Sequence, residues 1–199
     1  RPDEKYETVT IVGGISLQDG KPDGDAPGVY STRCKVPRDH VPHVWELDTR
    51  QRYTCVADLA AVIAYPASFY YRDQTLYFHT SDGRPPAEHQ IGLSDLDFGI
   101  YVRRADVTIA GLRFREFLAT IRSAAIITRG SRTIVKDCRA SNCAMGFHAR
   151  DRAQDVQFRR CHTEDVGTGI YSGGINAVVD QCRLTKTRDT FMVRSELQD

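Results

Sequence analysis

The chain lacks any run of about 18 apolar residues, which leaves no helical segment to span a bilayer. It lacks a charge surplus: 27 Lys and Arg stand against 26 Asp and Glu, a formal net charge of +1. No global field therefore recruits nucleic acid or an anionic membrane, and any charged ligand must be met locally. Its six cysteines, at 34, 55, 138, 143, 161 and 182, show no CxxC-type zinc spacing, so no metal centre is expected from them. Sustained 3.6-residue periodicity is absent beyond residue 98, and so are the leucine ladder and the asparagine position of a leucine-rich repeat. With 199 residues, 41% of them hydrophobic, the chain still has the material for one or two domains with buried cores.

What is present is a repeat. Asp106–Phe114, Arg132–Ala140, Asp155–Thr163 and Asn176–Leu184 superimpose, each reading as a short strand, a bend and a second short strand. Ile109, Val135, Phe158 and Val179 form one column, and Leu112, Cys138, Cys161 and Cys182 keep the same steps. Between these blocks runs a second strand family centred on Ile100, Ile126, Phe147, Ile170 and Phe191. Strands this short cannot bury an apolar face alone. Stacking one coil on the next makes a continuous core, and the expected fold is all-β, a right-handed parallel β-helix over residues 99–199.

The alternation sends Ile100, Phe147, Ile170 and Phe191 inward, so Tyr101, Ile127, His148, Tyr171 and Met192 should form an outward column. The cysteine column reads as packing, and Cys143, aligned with Phe117 and Val166, also points inward. Residues 1–98 are less regular. Strands are expected near Tyr6–Val12 and Gly28–Thr32, and a hairpin at Ser68–His79 turning at Arg72–Gln74. In an oxidising compartment, Cys34 with Cys55 is the expected disulfide.

The string Pro66–Pro86, followed by Tyr101–Phe114, resembles the region preceding the first full coils in pectin-lyase-like right-handed β-helix proteins. The resemblance covers residues 45–193 and implies a carbohydrate-active enzyme, extracellular or periplasmic, working on a polysaccharide laid along the solenoid. Hydrolysis is slightly favoured, with elimination or epimerisation of a uronate glycan as one alternative and a non-catalytic glycan-binding segment as another. The resemblance to polygalacturonases points to Asp165 and Asp189 as the catalytic carboxylates, although their Asn-Thr-Asp, Asp-Asp and Gly-His-Gly triplets are missing here. His148 joins them as a candidate for proton transfer. Tyr171, Tyr101, Arg150 and Arg188 are the expected sugar contacts, with Arg122 and Arg152 on the same face. No cofactor is expected; calcium would enter only with a lyase, and only Glu164 with Asp165 hints at it. The sequence shows no polar closing coil after Phe191, so a further segment or second chain is expected to cover that end.

Overall fold

The computed structural model describes residues 9–23, 26–34, 43–49, 51–118 and 122–193, with side chains as far as Arg188. Two compact units emerge: the described part of Arg1–Gly13 with Leu96–Asp199, and Gly14–Asp95. The sequence division at residue 98 falls close to this boundary, but the first strand, Thr10–Val12, belongs with the distal unit.

That unit is a parallel β-helix with three strand positions per rung. One face stacks Phe98–Val102, Ala124–Thr128 and the later halves of the 11-residue strands Arg139–Ala149, His162–Ser172 and Arg183–Val193. A second stacks Thr108–Ala110, Ile134–Lys136, Gln157–Arg159 and Val178–Asp180. The third begins at Thr10–Val12, which pairs in parallel with Arg113–Arg115, and continues through the first halves of the same 11-residue strands.

Register follows the sequence columns. Ile109, Val135, Phe158 and Val179 are successive partners, and so are Ile100, Ile126, Phe147, Ile170 and Phe191. The core contains Ile109, Phe114, Phe117, Ile126, Val135, Cys138, Cys143, Phe147, Phe158, Cys161, Val166 and Ile170, all buried.

Three bends close each rung, and each has one position that recurs in the left-handed region from rung to rung, joined by Arg152 in the bend that holds Asp155. The first column is Asp106, Arg132, Asp155 and Asn176; the second Gly111, Asp137, Arg160 and Gln181; the third Glu116, Asn142, Asp165 and Lys186. Only isolated residues adopt this conformation at modest cost, and Asn, Asp and Gly most readily. Two bends add ion pairs between rungs: Arg132 clasps Asp106 at 2.6 and 2.7 Å, and Arg160 clasps Asp137 at 2.7 Å through both nitrogens. Gly99, Ala125, Gly146 and Gly169 precede the inward side chains of the first four strands of this face for a steric reason. A Cβ on Gly146 would lie 2.4 Å from the Gly169 carbonyl oxygen and 2.5 Å from Thr163 Cγ2.

The unit Gly14–Asp95 has no such repeat. Its five-stranded sheet orders Lys21–Pro22, Val29–Arg33, Thr75–His79, Ser68–Arg72 and Thr54–Cys55, and a four-stranded sheet orders Gly14–Ser16, Ile91–Ser94, Val44–Glu46 and Gln51–Arg52. The expected hairpin is present, and both its turn residues, Asp73 and Gln74, have positive φ. That geometry matches the right-handed strand twist. The unit also has a short helix, Leu59–Ala64, capped where Asp58 accepts from the Ala61 N–H at 2.8 Å. Cys34 is buried and Cys55 exposed, and both are free thiols rather than the disulfide expected.

Candidate functional site

Strand alternation places Tyr101, Ile127, His148 and Tyr171 in one column on the outer side of the first face, each the register partner of the next. Neighbouring rungs lie about 4.8 Å apart. The column is less open than alternation suggests: Ile127 is fully buried, and His148 keeps only 8% of its surface. Outward here means outside the solenoid core, since neither residue belongs to the core cluster.

His148 and Tyr171 line a hollow of about 850 Å³. Their rings meet edge to face, centroids 4.6 Å apart. Met145, Asp151 and four arginines, Arg122, Arg129, Arg150 and Arg152, complete its lining. Two of these arginines follow from the repeat. Arg129 donates its backbone N–H to Val102 and Arg150 to Thr128, so the two occupy one position on successive rungs. On the next rung Gly173 takes that position, donating to Ala149. A Cβ there would stand 2.4 Å from Asp151 Oδ1, so the glycine makes room for the carboxylate.

The electrostatics of the hollow are set by desolvation and by these cations. Burial first, and then the Arg150 charge, push the His148 ionisation down to about 4, with Asp151 opposing. The imidazole is therefore neutral near neutral pH, with one N–H and one lone pair. Its Nδ1 is buried and has no hydrogen-bond partner. A buried polar atom without a partner is costly in a folded protein, and such atoms are few.

The remaining expected site residues lie at varying distances from this hollow. Arg150 and Tyr171 line it. Tyr101 is two rungs away, packed on Phe98 with centroids 5.4 Å apart and beneath the Arg103 guanidinium at 5.2 Å. Asp165 is an exposed bend residue with φ of 52°, in the column of Asn142 and Lys186. Asp189 pairs in register with Thr168, which pairs with Met145, and its side chain lies outside the described residues. The two aspartates are thus offset by three residues along the strand, roughly 10 Å of extended backbone, as well as by one rung. Arg188 is exposed on the final described strand. Glu164, expected to join Asp165 if calcium bound, is 3.7 Å from Lys186 Nζ instead.

Sequence reasoning did not find a second cluster, in the unit Gly14–Asp95. His89 is fully buried; its Nδ1 lies 2.9 Å from Asp48 Oδ2 and 3.4 Å from Glu46 Oε1, and its Nε2 3.0 Å from Asp82 Oδ1. Glu46 also accepts from Tyr53, Thr49 and Ser81. Burial alone would lower the His89 ionisation, but hydrogen bonds to Asp48 and Asp82, with the Glu46 charge, raise it. Among the described residues, Glu46, Asp48 and His89 are the group whose donor atoms come within 4.8 Å of one another. Those atoms are already engaged by the imidazole and the hydroxyl donors, and the arrangement is a hydrogen-bonded lock between the Glu46–Thr49 segment and the Ser81–His89 loop.

No family model matches the chain, and no curated protein matches it. Among solved structures, the complex structure of XylC with xylose aligns over 95% of this chain with a TM-score of 0.50 at 8% identity. The chain spans 54% of the length of that protein. At this identity the likeness is one of fold, and the fold it supports is the parallel β-helix.

Proposed function

We propose that this chain is a carbohydrate-active protein of the pectin-lyase-like kind, and that it cleaves glycosidic bonds in an acidic polysaccharide lying across the hollow at His148 and Tyr171. The observation that carries this reading is a neutral, buried histidine with an unpartnered nitrogen at a hollow whose lining includes four arginines. Elimination at a uronate needs a cation to neutralise the carboxylate and a base to take the C5 proton. Arg150 and its neighbours supply the first, and the His148 lone pair the second. Tyr171, edge-on to His148, offers a ring face for sugar stacking and a hydroxyl for the departing oxygen. XylC, whose structure contains xylose, is a sugar-binding protein of similar fold, which fits the same ligand class.

Hydrolysis is the second reading, favoured by Asp151 at the hollow and by the register of Asp189 on the same face. Incubation with a panel of uronate glycans separates the two. Elimination releases a product with an unsaturated ring that absorbs in the ultraviolet, whereas hydrolysis yields new reducing ends alone. Substitution His148→Ala should remove the ultraviolet signal; under hydrolysis, Asp189→Asn and Asp151→Asn remove turnover instead. Binding without turnover on every glycan would leave a glycan-binding solenoid and overturn the enzymatic reading.

A further inference from the structure

The position that follows the first-face strands carries an arginine on three successive rungs. Val102 pairs in register with Thr128, and Thr128 with Ala149, so Arg103, Arg129 and Arg150 stack one above another. Rungs lie about 4.8 Å apart, and the three backbone positions span about 10 Å along the solenoid. The corner is tightly drawn, since a Cβ on Gly130 would stand 1.8 Å from the Arg104 carbonyl oxygen. Like charges stacked directly opposite one another cost stability. Elsewhere the solenoid sets opposite charges over each other, with Arg132 on Asp106, Arg160 on Asp137 and Lys186 near Glu164. Among the described residues, Arg103, Arg129 and Arg150 have no carboxylate at ion-pair distance.

The file of cations has a direction. The Arg103 guanidinium lies over the Tyr101 ring, 5.2 Å from its centroid, which turns it toward the outward column that also holds His148 and Tyr171. Arg129 and Arg150 line the hollow. On the fourth rung the position falls to Gly173, and a Cβ there would meet Asp151 Oδ1 at 2.4 Å, so a carboxylate fills the space of the next side chain. Three cations therefore lead to the rung of His148, and a negative charge closes the file.

We propose that Arg103, Arg129 and Arg150 form a charge-reading track for three consecutive uronate residues of an unesterified glycan lying along the solenoid axis, one carboxylate to each arginine. A pyranose ring and its linking oxygen extend a glycan by close to the rung spacing, so successive residues keep step with the arginines. The guanidinium fork takes a carboxylate through two parallel N–H donors, and its long stem follows carboxylates that turn about the glycan axis. The track rests on the polysaccharide reading of the hollow and adds its specificity: consecutive free carboxylates are selected on the Arg103 side of His148, and one beyond it is repelled by Asp151. A glycan whose uronates are esterified, or alternate with neutral sugars, loses the match.

The test is isothermal titration calorimetry of the full chain with oligogalacturonates and oligomannuronates of one to five residues and with their methyl esters. His148→Ala protein replaces the wild type for any oligomer that is cleaved. Affinity should rise about fivefold with each residue up to three and then level off, and the esters should show no such rise. Arg103→Gln should make the curve level off at two residues, while Arg159→Gln, which removes an exposed charge from the second face, should leave it unchanged. Equal binding of the esters, a rise that stops short of three residues or continues past it, or equal losses in Arg103→Gln and Arg159→Gln would each overturn the track and leave a glycan-active hollow standing. If no uronate oligomer binds, the track and the polysaccharide reading fall together. The wild-type length series decides the matter even if a variant fails to fold.

Discussion

Each of the two units buries a histidine, and the two are held in opposite states. In Gly14–Asp95, His89 has carboxylates at both ring nitrogens, and its ionisation is raised. On the solenoid, His148 has an unpartnered Nδ1, arginines around it, and an ionisation lowered to about 4. Burial disfavours the charged form in both, so the difference comes from what surrounds each ring. A histidine satisfied on both nitrogens is part of the scaffold, whereas one left neutral and unsatisfied in a cationic hollow is available to a ligand.

Breaking the cores separates the units most strongly. Phe147→Ala removes a fully buried ring from the repeating column, and should cost about 3–5 kcal/mol. The loss should show in the β-sheet circular dichroism transition. Trp45, the single tryptophan, is buried in the other unit, so its fluorescence transition should shift less. Equal shifts would mean that the two units unfold as one.

Burial of neutral His148 should contribute about 3 kcal/mol, from a shift of the ordinary 6.5 to about 4. The unfolded chain binds the extra proton between these values, so this stability is complete above pH 6.5 and lost as pH falls toward 4. His148→Gln should flatten that dependence in denaturant unfolding. Gly146→Ala should cost about 1–3 kcal/mol, because the new methyl group meets the Gly169 backbone oxygen.

His89 should show the reverse pH dependence. Its raised ionisation gives stability that is complete below the ordinary histidine value and lost as pH rises through the folded one. Asp48 is held below the usual carboxylate range, burial opposing and the hydrogen bonds from His89 and Gln90 prevailing, so an acid limb also appears. Trp45 fluorescence during unfolding at graded pH should therefore pass through a maximum, and His89→Gln should remove its alkaline limb. The smallest effect is expected from Arg160→Ala, which opens an exposed inter-rung ion pair and should leave the melting temperature almost unchanged.

The solenoid was legible because a stacked fold writes its contacts as spacing. Ile100, Ile126, Phe147 and Ile170 pair at the positions where the columns put them. The same logic reaches Arg129, one rung from Arg150. Other features are not periodic. Thr10–Val12 joins Arg113–Arg115 across a hundred residues of chain, and Glu46, Asp48, Asp82 and His89 come from strand ends and loops in a nonrepeating unit. The degree of enclosure was also invisible: alternation gave the direction of Ile127 and His148, while what covers them is set by tertiary packing. The resemblance to polygalacturonases pointed to Asp165, whose place in the bend column gives it a conformational role shared with Asn142 and Lys186.

The direct measurement is the titration of the His148 imidazole in the intact chain by nuclear magnetic resonance, assigned with His148→Gln. A neutral ring with a midpoint near pH 4 is the result this account predicts. A midpoint at or above the ordinary 6.5 would contradict it, since the ring would then enter the hollow as a cation with no lone pair to offer a substrate.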